Sequence, residues 1–278
     1  MRRWVVLGLV LLGCQSRPLA AGTPTPFSLA EQGGILVAVM LNGTGPFTMA
    51  IDTGANHSAI ADEVAIRIGA PAIAQAMVTS SAGNRMRTLV RVQRLAFGPV
   101  AAVADATVLP RDALAAMGAF DGVIGQDVLA ALCYTIDFDR REIAWHDEPA
   151  SVAGARAVLT MTFDYGRFLV ELPHRESVLR LVPDSGAGGL VLFQGAGRVL
   201  PDLIGPRGGI GVATFGGRID AESVHVRELR IGSSTLRNLP AVLVDRAANR
   251  PADGDGLLPL HLFNRVTFDG PGRRLIVG

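Results

Sequence analysis

Charge of one sign is the first thing this chain lacks. Its 278 residues carry 26 Lys and Arg against 25 Asp and Glu, a formal net charge of +1, with no run of five like charges. Without a basic patch there is no electrostatic footprint for nucleic acid, so none is expected as a partner. Aromatic residues are scarce too, at 5%, while Gly and Pro number 33 and 16. That balance suits many short strands and turns rather than a helical bundle. The five histidines form no His-Glu-x-x-His pattern and no paired ligand spacing, so neither metal nor cofactor is expected. No Gly-x-Ser-x-Gly elbow is present, and His57 and Ser58, adjacent in sequence, offer no triad geometry. What remains is an apolar share of 49% with 18% charged residues, enough for a well-buried core.

Cysteine is nearly absent as well: Cys14 and Cys133 are the two. Cys14 closes the stretch MRRWVVLGLVLLGC, in which two arginines precede a nine-residue apolar run from Trp4 to Leu12. The run is too short to span a bilayer and has the charge layout of a secretory signal. LLGC resembles a bacterial lipobox, which implies lipidation of Cys14; ordinary signal cleavage within RPLAAGTP is the alternative. Residues 1–22 are therefore set apart as leader and flexible linker. The expected location is the bacterial cell envelope, lipid-anchored and facing the periplasm, or otherwise soluble in it. Past the leader no stretch of 18 apolar residues is free of charge, so the N-terminal lipid is the expected membrane contact. With Cys14 so used, Cys133 has no disulfide partner and the core must supply stability unaided.

The rest of the chain is written twice. AIDTGA is echoed by VPDSGA, with Asp184 lying 132 positions beyond Asp52. SAGNRM around Gly83 matches FGGRID around Gly217, VQRLAFG matches VRELRIG, and DGVIGQDVL matches DGLLPLHLF, each 134 apart. YTIDFDRREIAW is answered by RVTFDGPGRRLIV. Five matches in one order indicate a duplication, with its boundary near HDEPASVAGAR and two β lobes at 23–150 and 151–278. Within the first copy, ILVAVMLNGTGPFTMAID reads as two strands joined through Asn42-Gly43, residues that tolerate positive φ. SAIADEVAIRIGA, RDALAAMGA and QDVLAALC have helical spacing. Asp137, Asp139 and Asp269 read as exposed acids at strand ends.

Each copy thus ends an apolar strand in Asp, a hydroxyl and Gly. If the lobes face each other, Asp52 and Asp184 meet, and two carboxyls at hydrogen-bond distance cannot both ionise, so they share a proton. One then serves as base and the other as acid toward a water attacking a peptide carbonyl. Gly54 and Gly186 let backbone amides approach the carboxylates. The Thr53 and Ser185 hydroxyls can cross-bond the two loops.

IDTGA and PDSGA, each followed later by Asp-Gly and an apolar pair, resemble the aspartic proteases of the pepsin and retropepsin type, and most closely bacterial retropepsin-like proteins with two lobes in one chain. The resemblance covers nearly all of the chain after residue 30. It implies a mainly β, bilobal acid-protease fold with a few short helices, acting as a monomer on peptide or protein substrates. It implies that Asp52 and Asp184 form the catalytic dyad, that Val123, Ile124, Leu257 and Leu258 pack beneath it, and that a β-hairpin closes over substrate. The flap candidates are Ser81, Ala82 and Gly83 in one lobe and Phe215, Gly216 and Gly217 in the other. Three departures stand out: Pro259 where the first copy has Gly125, Pro183 directly before the second Asp, and no tyrosine in either flap. They motivate the alternative of a catalytically weak or inactive peptide-binding lipoprotein on the same fold.

Overall fold

The computed structural model describes residues 23–31, 33–80, 83–115, 118–174, 177–193, 208–214, 217–244 and 254–278. The first half contains β1 (Thr25–Pro26), β2 (Ser28–Leu29), β3 (Ile35–Leu41), β4 (Thr44–Ile51), β5 (Ala59–Ala61), α1 (Asp62–Arg67), β6 (Ala72–Ser80) and β7 (Gly83–Phe97). It continues with β8 (Val100–Leu109), α2 (Arg111–Ala115), β9 (Gly122–Ile124), α3 (Gln126–Leu129), β10 (Cys133–Asp137) and β11 (Glu142–His146). The second half opens with β12 (Ala157–Asp164), β13 (Arg167–His174), β14 (Ser177–Asp184), β15 (Leu190–Phe193) and β16 (Gly208–Thr214). It ends with β17 (Gly217–Ile231), β18 (Ser234–Val244), β19 (Gly256–Pro259), a 3-10 turn at Leu260–Leu262, β20 (Arg265–Asp269) and β21 (Arg274–Val277). The fold is mainly β, as expected of a two-lobe protease.

Alternation explains the strands. In β3 the residues Ile35, Val37, Val39 and Leu41 are buried while Ala38 and Met40 face out, the period-two pattern of a half-buried strand. Asn42 and Gly43, at φ 48° and 80°, turn β3 into β4 as the sequence predicts. The three helical segments are shorter than their apolar spacing suggests: SAIADEVAIRIGA begins as strand β5 and keeps only six helical residues. A buried Ala59-Ile60-Ala61 between β8 and β9 gains more from sheet pairing than from one more helical turn.

The repeat survives in three dimensions. In each half the strand ending in the motif Asp is flanked by a parallel strand carrying the Asp-Gly motif, β4 beside β9 and β14 beside β19. That second Asp has a structural task in both copies. Asp121 Oδ2 accepts the Thr48 N–H at 2.8 Å, and Asp255 Oδ2 accepts the Arg180 N–H at 2.8 Å, each four residues before a motif Asp.

A 13-stranded sheet joins the halves. At its centre β10 pairs antiparallel with β20, Thr135 opposite Thr267, their hydroxyls 2.7 Å apart. These two threonines are themselves 132 positions apart, so the pseudo-two-fold axis passes between them. Three of the scarce aromatics gather here, with Tyr134 stacked on Phe268 at 5.3 Å and Trp145 tilted against Tyr134 at 5.7 Å. Asp269, expected to be exposed, is 1% exposed and paired with Arg274 at 2.5 Å. The sequence shows a strand end, but β20 lies inside the joined sheet between β10 and β21, where only a paired carboxylate is tolerated.

Candidate active site

Strands β4 and β14 run into the interface between the halves and end there in Asp52 and Asp184. Each Asp is followed by a tight loop whose amides fold back onto it. Asp52 Oδ1 accepts the N–H groups of Gly54 at 2.9 Å and Ala55 at 3.0 Å. Asp184 Oδ1 accepts those of Gly186 at 2.7 Å and Ala187 at 3.0 Å. One oxygen of each carboxyl, Oδ1, is fixed by the same device in both copies.

The two loops are bolted together by their hydroxyls. Thr53 Oγ1 donates to the Pro183 carbonyl at 2.8 Å and accepts the Ser185 N–H at 3.0 Å. Ser185 Oγ donates to the Ile51 carbonyl at 2.7 Å and accepts the Thr53 N–H at 3.0 Å. All four bonds are buried and cross between halves, so neither loop can move without the other. The glycines complete the contact in a way the sequence reading only half anticipates. Their amides do bind their own carboxylate, but their bare α-carbons face the opposite one. A Cβ on Gly54 would lie 2.4 Å from Asp184 Oδ2, and one on Gly186 would lie 3.1 Å from the Asp52 carboxyl carbon.

The carboxyls hydrogen-bond to each other, and both are held above the ordinary carboxylate range. Burial is the main cause for each. For Asp52 it is opposed by the Gly54 and Ala55 amides, by the bond from Asp184 and by the charge of Arg167. For Asp184 it is reinforced by the Asp52 charge, which pushes this group well above its usual value. The two carboxyls therefore share one proton, and the pair carries a single charge.

Of the residues expected beneath the pair, Val123, Ile124 and Leu258 are buried, while Leu257 is half-buried. Ile124 pairs with Ile51 and its carbonyl accepts the Asp52 N–H at 3.0 Å. Leu257 and Leu258 pair with Val182 and Pro183. Pro259 stands opposite Asp184 with φ −68°, a value its ring prefers, and fits the extended strand end. Gly83 and Gly217 open β7 and β17, which form hairpins with β6 and β16. Ser81, Ala82, Phe215 and Gly216, like Cys14, lie outside the described residues.

Three supporting residues carry no obvious signal in the motif itself. Ser58 is fully buried, where its N–H and Oγ both donate to Asp127 Oδ1 at 2.8 Å and its Oγ accepts the Gly125 N–H at 3.1 Å. Gln126 Nε2 donates to the Thr53 carbonyl at 2.9 Å. His57, by contrast, is exposed. The third is Arg167, at the start of β13, whose Nη1 reaches the Gly54 carbonyl at 3.4 Å. Its one trace in the sequence is a mismatch in the repeat, since 132 positions earlier stands Ile35.

Residues 37–128, from β3 into α3, match a family model described as aspartyl protease. That span contains Asp52, its loop and the Asp-Gly strand beside it, and the match supports aspartic-type peptidase activity, a hydrolase function. No curated protein matches the chain.

Proposed function

We propose that the chain is an aspartic-type endopeptidase of the two-lobe, retropepsin-like kind, hydrolysing peptide bonds in a cleft between its lobes. The observation that carries this reading is the pair of carboxyls hydrogen-bonded to each other and held by mirrored amides. In this reading Asp52 is the carboxylate and takes a proton from a water whose oxygen adds to the scissile carbonyl carbon. Asp184 gives its proton to the carbonyl oxygen. The resulting gem-diol collapses as the amine nitrogen takes the proton from Asp52, a diol hydroxyl returns its proton to Asp184, and the C–N bond breaks. The hairpins β6–β7 and β16–β17 are proposed to cover the substrate. Export and lipid attachment through Cys14 would set this chemistry at the cell envelope, as a monomer.

Cleavage of a peptide library, read by mass spectrometry from mildly acidic to neutral pH, tests the reading. Wild type should cut internal bonds, and Asp52→Asn and Asp184→Asn should each abolish cutting, a loss of at least ~10³-fold given that either removes one of two proton-transfer partners. Folded variants that still cut would overturn it. A silent wild type that retains peptides would favour a binding protein instead.

A further inference from the structure

The duplication makes the two carboxyls near-equivalents, yet a hydrolytic dyad needs one of them to be base and the other acid. Something must break the symmetry. The mirrored amides and the four cross-bonds do not, because they recur on both sides. A difference that carries charge lies at the start of β13.

There the two-residue turn Tyr165-Gly166, at φ 46° and 78°, sends the chain from β12 into β13 and brings the second half onto the loop after Asp52. Gly166 is in van der Waals contact with that loop: a Cβ on it would stand 3.0 Å from Asn56 Cβ. The next residue is Arg167. Its Nη1 faces the Gly54 carbonyl at 3.4 Å, and that carbonyl belongs to the peptide unit whose other end, the Ala55 N–H, donates to Asp52 Oδ1 at 3.0 Å. A cation on the carbonyl end of a peptide strengthens the donor at its amide end. The charge is thus relayed to one carboxyl in particular.

Among the described residues the Asp184 side has no counterpart. Its Ala187 N–H makes the matching bond at 3.0 Å, but the residue equivalent to Arg167 is Ile35, fully buried and without a donor. In the first half, Ile35 pairs with Ile51 directly before Asp52. In the second half β13 and β14 pair in a register one residue removed from that one, and the pairing stops at Val170 and Leu181, short of Phe168 and Pro183. Proline has no N–H to offer that ladder, so the start of β13 is paired to β12 alone, Arg167 opposite Asp164.

We propose that Arg167 is the positioning residue of the dyad: acting through the Gly54–Ala55 peptide, it keeps the pair singly charged and assigns the carboxylate to Asp52. The charged groups facing Asp52 among the described residues are Asp184, at the end of β14, and Arg167; those facing Arg167 are Asp184 first and then Asp52, so its direct field reaches both carboxyls and the Gly54–Ala55 peptide is what favours Asp52. The sign follows. A positive charge favours every deprotonated form of the pair, so its removal raises the pH at which the buried dyad takes up its second proton and falls inactive. Arg167's part in turnover presupposes the peptidase reading; its effect on the dyad's protons does not.

The test follows the side-chain carboxyl carbons of Asp52 and Asp184 by NMR against pH in the full chain, with assignments from Asp52→Asn and Asp184→Asn. Wild type is compared with Arg167→Lys, Arg167→Gln and Arg167→Met, the last two being alternative neutral replacements of which either folded one suffices. The lower midpoint of the pair should rise by about one pH unit or more in the neutral variants and stay near wild type in Arg167→Lys. The acid limb of kcat/KM should move with it, which a purely structural role would not produce. A folded neutral variant with unmoved midpoints overturns the assignment, as does a wild-type dyad whose proton sits on Asp52. Midpoints that move in a chain cleaving no peptide would support the role of Arg167 while removing the peptidase reading.

Discussion

At the scale of single residues, the two motif glycines are equivalent by sequence and unequal by contact. A methyl group at Gly54 would sit 2.4 Å from Asp184 Oδ2, whereas one at Gly186 would sit no closer than 3.1 Å to the Asp52 carboxyl. The first distance cannot be absorbed without moving a carboxyl that is also fixed by the Gly186 and Ala187 amides. The second is closed by a shift of a few tenths of an ångström. Gly54→Ala is therefore expected to cost about 1–3 kcal/mol of stability through overpacking and to lower kcat/KM by at least ~100-fold, since an ångström of misplacement at the reacting groups has that effect. Gly186→Ala should be the milder of the two on both counts. Urea unfolding and peptide cleavage measured on the pair check this, and equal losses would mean the contacts are not the cause.

At the scale of elements, the loop after Asp52 is anchored in a way that the loop after Asp184 is not. Ser58 ties it to α3 through Asp127, and Gln126 ties it through the Thr53 carbonyl. The position equivalent to Ser58 is Leu190, buried in the second half and unable to make such a bond. Burial already pushes the Asp127 carboxyl upward, and the Ser58 bonds oppose that push. Ser58→Ala would strip one of those bonds and orphan the Gly125 N–H, so a loss of about 1–3 kcal/mol is expected in denaturant unfolding. Leu190→Ala would create a cavity instead, and its cost should not depend on pH. Which elements were readable from sequence follows the same logic of local against distant causes. Asn42-Gly43 announces its hairpin because both residues favour positive φ. Tyr165-Gly166 makes the same turn unannounced, because a tyrosine at φ 46° is a conformation that tertiary contacts impose. The helix in SAIADEVAIRIGA is shorter than its pattern suggests for the related reason that apolar spacing suits either state until the neighbouring strands are known.

At the scale of the whole molecule, the duplication gave away the paired aspartates, but not how the halves are joined. The pairing of β10 with β20 links residues 132 positions apart, and no periodicity within either strand encodes it. Asp269 is buried against expectation for that reason: its strand is an end in the sequence and an interior in the sheet. The same joint governs how the chain should unfold. Breaking the halves apart would sever five β10–β20 residue pairs and the four buried bonds between Thr53, Ser185 and their partners. It would also expose Tyr134 and Phe268, each 1% exposed. Two fully buried aromatic side chains alone are worth roughly 3–6 kcal/mol, a large part of the 5–15 kcal/mol typical of a native domain. A state with one half folded and the other open is thus too costly to accumulate. Trp145 is a convenient reporter, packed at the joint against Phe97 at 5.4 Å and donating its indole N–H to Thr25 Oγ1 at 2.8 Å. Its fluorescence and far-ultraviolet circular dichroism should trace a single urea transition with one midpoint. Fluorescence changing ahead of the dichroism would mean that the joint opens while the halves stay folded, and the two lobes would then be separable domains.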